Sequence, residues 1–298
     1  MLRKLSHRIL GDRRRWIDEG LILSAKTLMA SSGWRAPVQS SLSEKEFKVY
    51  SQFGDDGIIQ YLIRAIPVAE TSFIEFGVGD YFESNTHFLL VNDNWAGLVL
   101  DGSEEKVTVI RTSPIYWRHA LTAETAFITR DNVMNCLTRA PFDRVGLLHI
   151  DLDGNDYWIL ERIDFERLPT DILVLEYNAV FGAEREITIP YDERFDRCAA
   201  HHSCLYWGAS LPALASLAAT RGFFFAGTNS AGNNAYFVSQ RHRGRVPELT
   251  IREGFTDSRY RESRGPDFSM TYLSGESRIS AIRELPVWNV HDKTIEPL

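Results

Sequence analysis

Residues 71–101, TSFIEFGVGDYFESNTHFLLVNDNWAGLVLD, read as strand, glycine turn, helix and strand, with an acidic residue closing each strand. Ile74 and Phe76 belong to a short β-branched and aromatic run that includes Glu75. Gly77-Val78-Gly79-Asp80 then forms a turn in which absent Cβ atoms let a ligand approach the backbone. Ser84, Asn85 and Thr86 are natural helix caps, and Phe88, Leu89 and Val91 give the following helix an apolar side. Residues 96–100 make a second buried strand that delivers Asp101, whose carboxylate can accept two hydrogen bonds from a ribose diol. The unit predicted is a nucleoside-binding half-fold.

The residues also bear on which nucleoside it takes. A dinucleotide fingerprint G-x-G-x-x-G needs its third glycine at position 82, which is Phe82. A pyrophosphate prefers an uncrowded, positive helix N-terminus. This turn instead carries Glu75, Asp80 and Glu83, which repel phosphate and suit a cation. S-adenosylmethionine fits better, having a sulfonium, an ammonium and a ribose but no phosphate. An α/β crossover with an acidic turn and no ligand is the alternative.

The chain has 298 residues, 44% hydrophobic and 24% charged, enough for one generous α/β domain with extensions. A formal charge of −7 argues against general nucleic-acid affinity. Cys136, Cys198 and Cys204 are too few and too scattered for a disulfide framework, so a reducing, cytoplasmic setting is expected. No apolar run approaches the length of a membrane span, and Asp18, Glu19 and Lys26 interrupt what would be a signal-peptide core.

Residues 1–40 read as an arm. Arg3, Lys4, Arg8, Arg13, Arg14 and Arg15 concentrate positive charge, and Trp16, Ile17, Leu21, Leu28 and Met29 recur at roughly helical spacing. Such a helix either packs on its own domain with a solvated basic face or lies on an anionic membrane or a partner subunit, so homo-oligomerisation stays open. Residues 50–57 either loop over the nucleoside pocket, with Ser51 and Gln52 offering hydrogen bonds, or cap the next helix through Asp55 and Asp56. Residues 115–121 read as a third strand followed by a turn at 122–125. Residues 145–150 form a continuous apolar run apart from His149, as a central parallel strand should, and empty into Asp151-Leu152-Asp153-Gly154-Asn155-Asp156. Residues 171–178, DILVLEYN, repeat that character and end in Glu176 and Asn178. Asp151, Asp153, Glu176 and Asn178 all supply oxygen and could converge on one hard cation at the carboxyl ends of the strands; otherwise they cap helices. A helix over 210–221 and an antiparallel pair at 223–225 and 235–238 complete a domain over 41–240, and 241–298 reads as a C-terminal extension.

At these residues the sequence resembles the S-adenosylmethionine-dependent methyltransferases of the Rossmann class, and within them the FkbM-type group associated with glycan and natural-product modification. The similar parts are SQFGDDG at 51–57, FIEFGVGD at 73–80, HIDLDGNDYW at 149–158, LEYN at 175–178 and GASLPAL at 208–214. The resemblance implies a Rossmann-like, doubly wound α/β sheet of seven mostly parallel strands, the last antiparallel. It places cofactor over Gly77 and Gly79 and ribose on Asp101, although Asp80 stands where a third glycine is common. With the residues above, the expected cofactor-binding set is Ser51, Gln52, Glu75, Gly77, Gly79, Asp80, Asn85, Thr86 and Asp101. DGNDY at 153–157 is also similar to the acidic motif of magnesium-dependent sugar O-methyltransferases. That implies Mg²⁺ or another divalent cation on Asp153 and Glu176, with Asn178 nearby where paired aspartates are usual.

The expected activity is methyl transfer to a hydroxyl of a sugar, glycan or related small molecule, with the cation acidifying that hydroxyl and Asp151 or Asp153 taking its proton. Two other readings use the same residues: a metal-dependent glycosyltransferase built on Asp151-x-Asp153, and a nucleoside-binding module without chemistry.

Overall fold

The structure is a computed structural model that describes the backbone of residues 2–298 and the side chains of residues 16–298. The side chains of the basic cluster Arg3, Lys4, Arg8, Arg13, Arg14 and Arg15 lie outside the described residues.

In chain order the strands are β1 (Ser72–Phe76), β2 (Ala96–Asp101), β3 (Leu121–Thr125), β4 (Val145–Ile150), β5 (Thr170–Glu176), β6 (Ile187–Thr188), β7 (Phe223–Thr228), β8 (Asn234–Ser239), β9 (Pro286–Asn289) and β10 (Thr294–Pro297). Seven of them form one sheet in the order β3-β2-β1-β4-β5-β8-β7. Strands β1 to β5 pair in parallel, and β8, the last of the seven in the chain, runs antiparallel between β5 and β7. This is the expected Rossmann-like, doubly wound arrangement.

The apolar runs are continuous because helices cover both faces of the sheet. Successive side chains alternate between the two layers. Ile74, Phe76, Leu148, Ile150, Leu173 and Leu175 share one core with the helices Asp156–Arg162 and Leu211–Thr220. Phe73, Val99, Leu147, Ile172 and Val174 share the other with the helices Asp55–Ala65 and His87–Asn92. The strand order reverses at β1, which lies between β2 and β4. In such sheets the crevice beyond the carboxyl ends of those strands is where ligands collect.

Three expectations change. The third strand is Leu121–Thr125, the segment read as a turn, whereas Pro114–Arg118 is a short helix begun at Ser113 with Pro114 in its first turn. Cys198 and Cys204 form a disulfide across a six-residue separation, so these two are not the free thiols of the reducing setting that was expected; Cys136 is free and buried. The segment after residue 241 holds more order than its weak periodicity announces. Its β9 and β10 join β6 in a second, antiparallel sheet over a third core of Val180, Phe181, Ile187, Tyr206 and Val287. Among the described residues no helix is long and apolar enough to cross a membrane.

Candidate active site

The site grows from Glu75 in β1, which sits on the sheet axis and is buried. A carboxylate there survives only with partners, and it has them. It accepts hydrogen bonds from the hydroxyls of Ser84 and Thr86, from the amide of Asn85 at 3.1 Å and from the amide of Thr86 at 3.2 Å. A carboxylate can only accept, so the Nδ1–H of His149 in β4 donates to it at 2.9 Å. Burial alone would raise the Glu75 pKa, but the His149 hydrogen bond and charge, with the two hydroxyls, bring it below the usual carboxylate range. Burial pulls His149 the other way, and the same bond together with nearby carboxylates raises its pKa. Thr86 is the N-cap residue of the helix His87–Asn92, but its side chain and that of Ser84 bond Glu75 instead of the helix. The helix His87–Asn92 starts without a side-chain cap, and its preceding residues are spent on folding around Glu75.

The glycine turn follows. Gly77 and Gly79 adopt φ of +72° and +58°, the left-handed region that glycine enters without strain. A Cβ at Gly77 would lie 1.8 Å from the backbone oxygen of Asp151, so this glycine lets the ends of β1 and β4 approach each other. At Gly79 the nearest atom to such a Cβ is the Lys106 Nζ, 3.9 Å away, which leaves the turn open on the cleft side. Asp101 accepts from the Gly79 amide at 2.7 Å and from the Ser103 amide at 2.8 Å. It thereby ties the turn to the end of β2. Gly77→Ala is expected to cost roughly 2–4 kcal/mol, from backbone strain plus overlap with β4, read as a lowered urea midpoint.

Two adjoining cavities open at this edge, of about 500 and 270 Å³. The larger is lined by Glu75, Gly77, Gly79, Asp80, Glu83, Asn85, His149 and Asp151, with Lys106 the lysine on its rim. The smaller is lined by Asp151, Asp153, Glu176, Arg197 and Glu262, with the aromatic rings of Phe53, Trp207 and Tyr260. Gln52, Gly77, Asp151 and Asn233 line both.

Asp151 occupies the shared wall. Burial first, and then the neighbouring Asp153 and Glu75 charges, push its pKa up to about 6, against the opposing pull of His149. The Glu176 carboxyl lies against it, and burial with the Asp151 and Asp153 charges raises Glu176 well above its ordinary value. Two half-buried carboxyls so placed each oppose the ionisation of the other. Asp153 lines only the smaller cavity and is more open to solvent. Its φ is +54°, its side chain is 66% exposed, and it pairs with Arg197 at 3.3 Å.

Other expected site residues turn inward. Ser51 is fully buried, its hydroxyl accepting the Asp56 amide, while Asp56 accepts the amides of Val49, Tyr50 and Ser51 at 2.7, 2.7 and 3.0 Å. Residues 50–57 are thus a helix entry wrapped around a carboxylate, and Gln52 alone of the expected pair reaches the cleft. Thr86 lies beneath the cleft with Glu75, and Asp101 lies under the glycine turn without lining either cavity. Asn178 lines the smaller cavity, yet its amide oxygen accepts from Val180 at 3.0 Å and its nitrogen donates to the carbonyls of Leu205 and Trp207 at 2.9 Å each. Arg197, Tyr260, Glu262 and Arg278 come to the cleft from segments whose sequence shows no motif.

The donor set does not fit a divalent cation. Among the described residues no group of three or more His, Cys, Asp or Glu side chains is arranged to hold one. Asp153 pairs with Arg197 and Asn178 has its oxygen engaged by the Val180 amide. The Mg²⁺ expected on Asp153, Glu176 and Asn178 is not supported by this arrangement.

No protein-family profile matches the chain, and no curated protein matches it in sequence. Solved structures with a similar chain path include the N-terminal domain of EvdMO1 with SAH bound, at 12% identity and a TM-score of 0.41, covering 74% of this chain and 95% of that one. The O-methyltransferase from Bacillus cereus in complex with SAH aligns at 12% identity and a TM-score of 0.38, covering 75% and 90%. Human N-acetylserotonin methyltransferase in complex with SAM aligns at 13% identity and a TM-score of 0.36, covering 62% and 55%. At such scores the function rests on the site itself.

Proposed function

We propose that this chain is an S-adenosylmethionine-dependent O-methyltransferase acting on a hydroxyl of a sugar, glycan or related small molecule. The observation that carries the reading is the position of Asp151, a half-buried carboxylate on the wall common to an acidic cavity and an aromatic-lined one. The acidic cavity suits the cofactor: Glu75, Asp80, Glu83 and Asp151 favour a sulfonium and an ammonium and oppose a phosphate. Its volume lies within the usual range for small-molecule sites, ~300–1,000 Å³. Asp101 keeps lone pairs beyond those used on Gly79 and Ser103 and would hold the ribose at the turn. The smaller cavity suits the acceptor. Phe53, Trp207 and Tyr260 offer flat apolar surface to a sugar ring, and Arg197, Glu262 and Asn233 offer hydrogen bonds to its hydroxyls.

When bound, the cofactor supplies a methyl carbon made electrophilic by positive sulfur. The acceptor oxygen would bond to that carbon as the carbon–sulfur bond broke and its electron pair returned to sulfur, and Asp151 would take the hydroxyl proton. Holding the two reactants in line is the larger contribution of the protein. The raised pKa makes Asp151 a stronger base than an ordinary carboxylate while leaving it ionised at neutral pH. No step needs a metal ion.

Because the base must be ionised, kcat/KM is expected to fall as pH drops through about 6, in a pH–rate profile recorded at saturating cofactor. A rate that stays flat well below that pH contradicts the role of Asp151. Asp101→Ala is expected to weaken S-adenosylhomocysteine binding by roughly 10²-fold, the worth of two charge-assisted hydrogen bonds, measured by equilibrium dialysis. A thermal-shift panel of S-adenosylhomocysteine, UDP-sugars with Mn²⁺, and NAD separates the rivals, since a ligand of the native state raises Tm. Only the first is expected to raise it. Stabilisation by S-adenosylhomocysteine without turnover on any acceptor would leave a nucleoside-binding module instead.

A further inference from the structure

Along the outward side of the helix Leu2–Ala30, Trp16, Ile17, Leu21, Leu23 and Leu28 are exposed, Trp16 by 77% and Leu23 by 67%. The opposite side is packed: Ala25 and Met29 are buried in the core that includes Trp34. At about 100° per residue the five exposed side chains fall within an arc of about 160°. The other described positions in that arc are Gly20, Ser24 and Thr27, and none is charged. The two hydroxyls turn back onto the helix, Ser24 donating to the Gly20 carbonyl and Thr27 to the Leu23 carbonyl at 2.9 Å each. Over residues 16–30 the face therefore presents no polar group that needs water, the condition for burial in hydrocarbon. Asp18, Glu19 and Lys26 lie outside the arc.

Charge selects the occupant. Residues 1–40 carry eight Lys and Arg against three Asp and Glu, which leaves twenty-five against thirty-seven in the remainder. On the packed side of the helix, Lys26, Arg35 and Arg64 converge on a cavity of about 470 Å³ with Met29, Ala30 and Asn92. Arg35 donates to the Met29 carbonyl at 3.1 Å, and Arg64 has Asp93 at 3.8 Å as its carboxylate neighbour. Burial and the field of Arg35 both work against the Arg64 charge. An anion seated in the cavity relieves that repulsion.

We propose that this helix is an interfacial anchor: its apolar face over residues 16–30 enters the acyl boundary of an anionic lipid surface, to which the basic excess of residues 1–40 draws it. A helix with an apolar face over residues 16–30, a Trp on that face and a basic excess in residues 1–40 has the form of such anchors. The anchor would hold the acidic body at the surface, independently of what the cleft catalyses.

The test is co-sedimentation of the full chain with phosphatidylcholine vesicles, with and without phosphatidylglycerol. The chain is expected to pellet with the mixed vesicles, to be left in solution by pure phosphatidylcholine, and to be released by salt. Leu21→Glu with Leu23→Glu should abolish pelleting with Tm and circular dichroism unchanged, since both side chains are exposed. Lys26→Glu should lower it by about tenfold. Pelleting that ignores lipid charge, or that survives the double Leu substitution, overturns the proposal. So does a dimer in sedimentation velocity that the double substitution dissociates, because the face would then belong to a second copy of the chain.

Discussion

Asp151→Asn is expected to lower kcat by about 10²–10⁴-fold while S-adenosylhomocysteine affinity changes by less than about threefold. Asn keeps the shape of the side chain, so the packing of β4 against the glycine turn survives, but an amide cannot take the acceptor proton. Asp153→Asn is expected to cost less than about tenfold, because that carboxylate is exposed and tied to Arg197. The contrast between the two variants separates the base from its neighbour. Equal losses, or a larger loss at Asp153, would return the proton-accepting role to Asp153 and demand that Arg197 release it.

Glu75→Ala is expected to destabilise the fold by about 3–5 kcal/mol, the cost of leaving one partner of a buried ion pair behind. His149 would lose its acceptor, and the hydroxyls of Ser84 and Thr86 with two backbone amides would lose theirs. Urea unfolding by circular dichroism measures the effect. The pH dependence carries a sign that identifies the pair. Glu75 has a lowered folded pKa, so its contribution is present above the unfolded carboxylate value and fades as pH falls through the folded one. His149 has a raised folded pKa, so its contribution is complete below the unfolded imidazole value and fades as pH rises through the folded one. The pair thus contributes most between the unfolded values of about 4.3 and about 6.5, and the deficit of Glu75→Ala should be largest there. A destabilisation under 1 kcal/mol, or one independent of pH, would mean that the pair is not formed.

How much of this was legible in the sequence depends on which force decided each element. Strands β1, β2, β4 and β5 are buried on both faces, so hydrophobicity alone marks them. Strand β3 is at the sheet edge with alternating burial, and Leu121-Thr122-Ala123-Glu124-Thr125 looks less strand-like than the Ile115-Tyr116-Trp117 run before it. Pro114 just after Ser113 was the signal for a helix there. Strand β6 is two residues long and pairs across a hundred positions with β9, a contact no local pattern records. At the site, Asp101 and the glycine turn could be placed from their spacing. Which of Asp151 and Asp153 stands on the wall of both cavities could not, because both follow the end of β4 and Asp153 takes a left-handed backbone. Arg197, Tyr260, Glu262 and Arg278 are brought in by tertiary folding from the segment holding the disulfide and from the C-terminal third. The roles of Ser84 and Thr86 were misread because the same side chains that cap helices also satisfy a buried carboxylate.

The central claim is that the carboxylate-lined cavity at the ends of β1 and β4 takes an onium donor and rejects a phosphate. Isothermal titration calorimetry on the folded full-length chain tests it directly, with S-adenosylmethionine, S-adenosylhomocysteine and NAD as titrants. One-to-one binding is expected for the first two and none for NAD, and Asp101→Ala should weaken both affinities together. Heat from NAD, or none from either sulfur ligand while circular dichroism shows the protein folded, would contradict it.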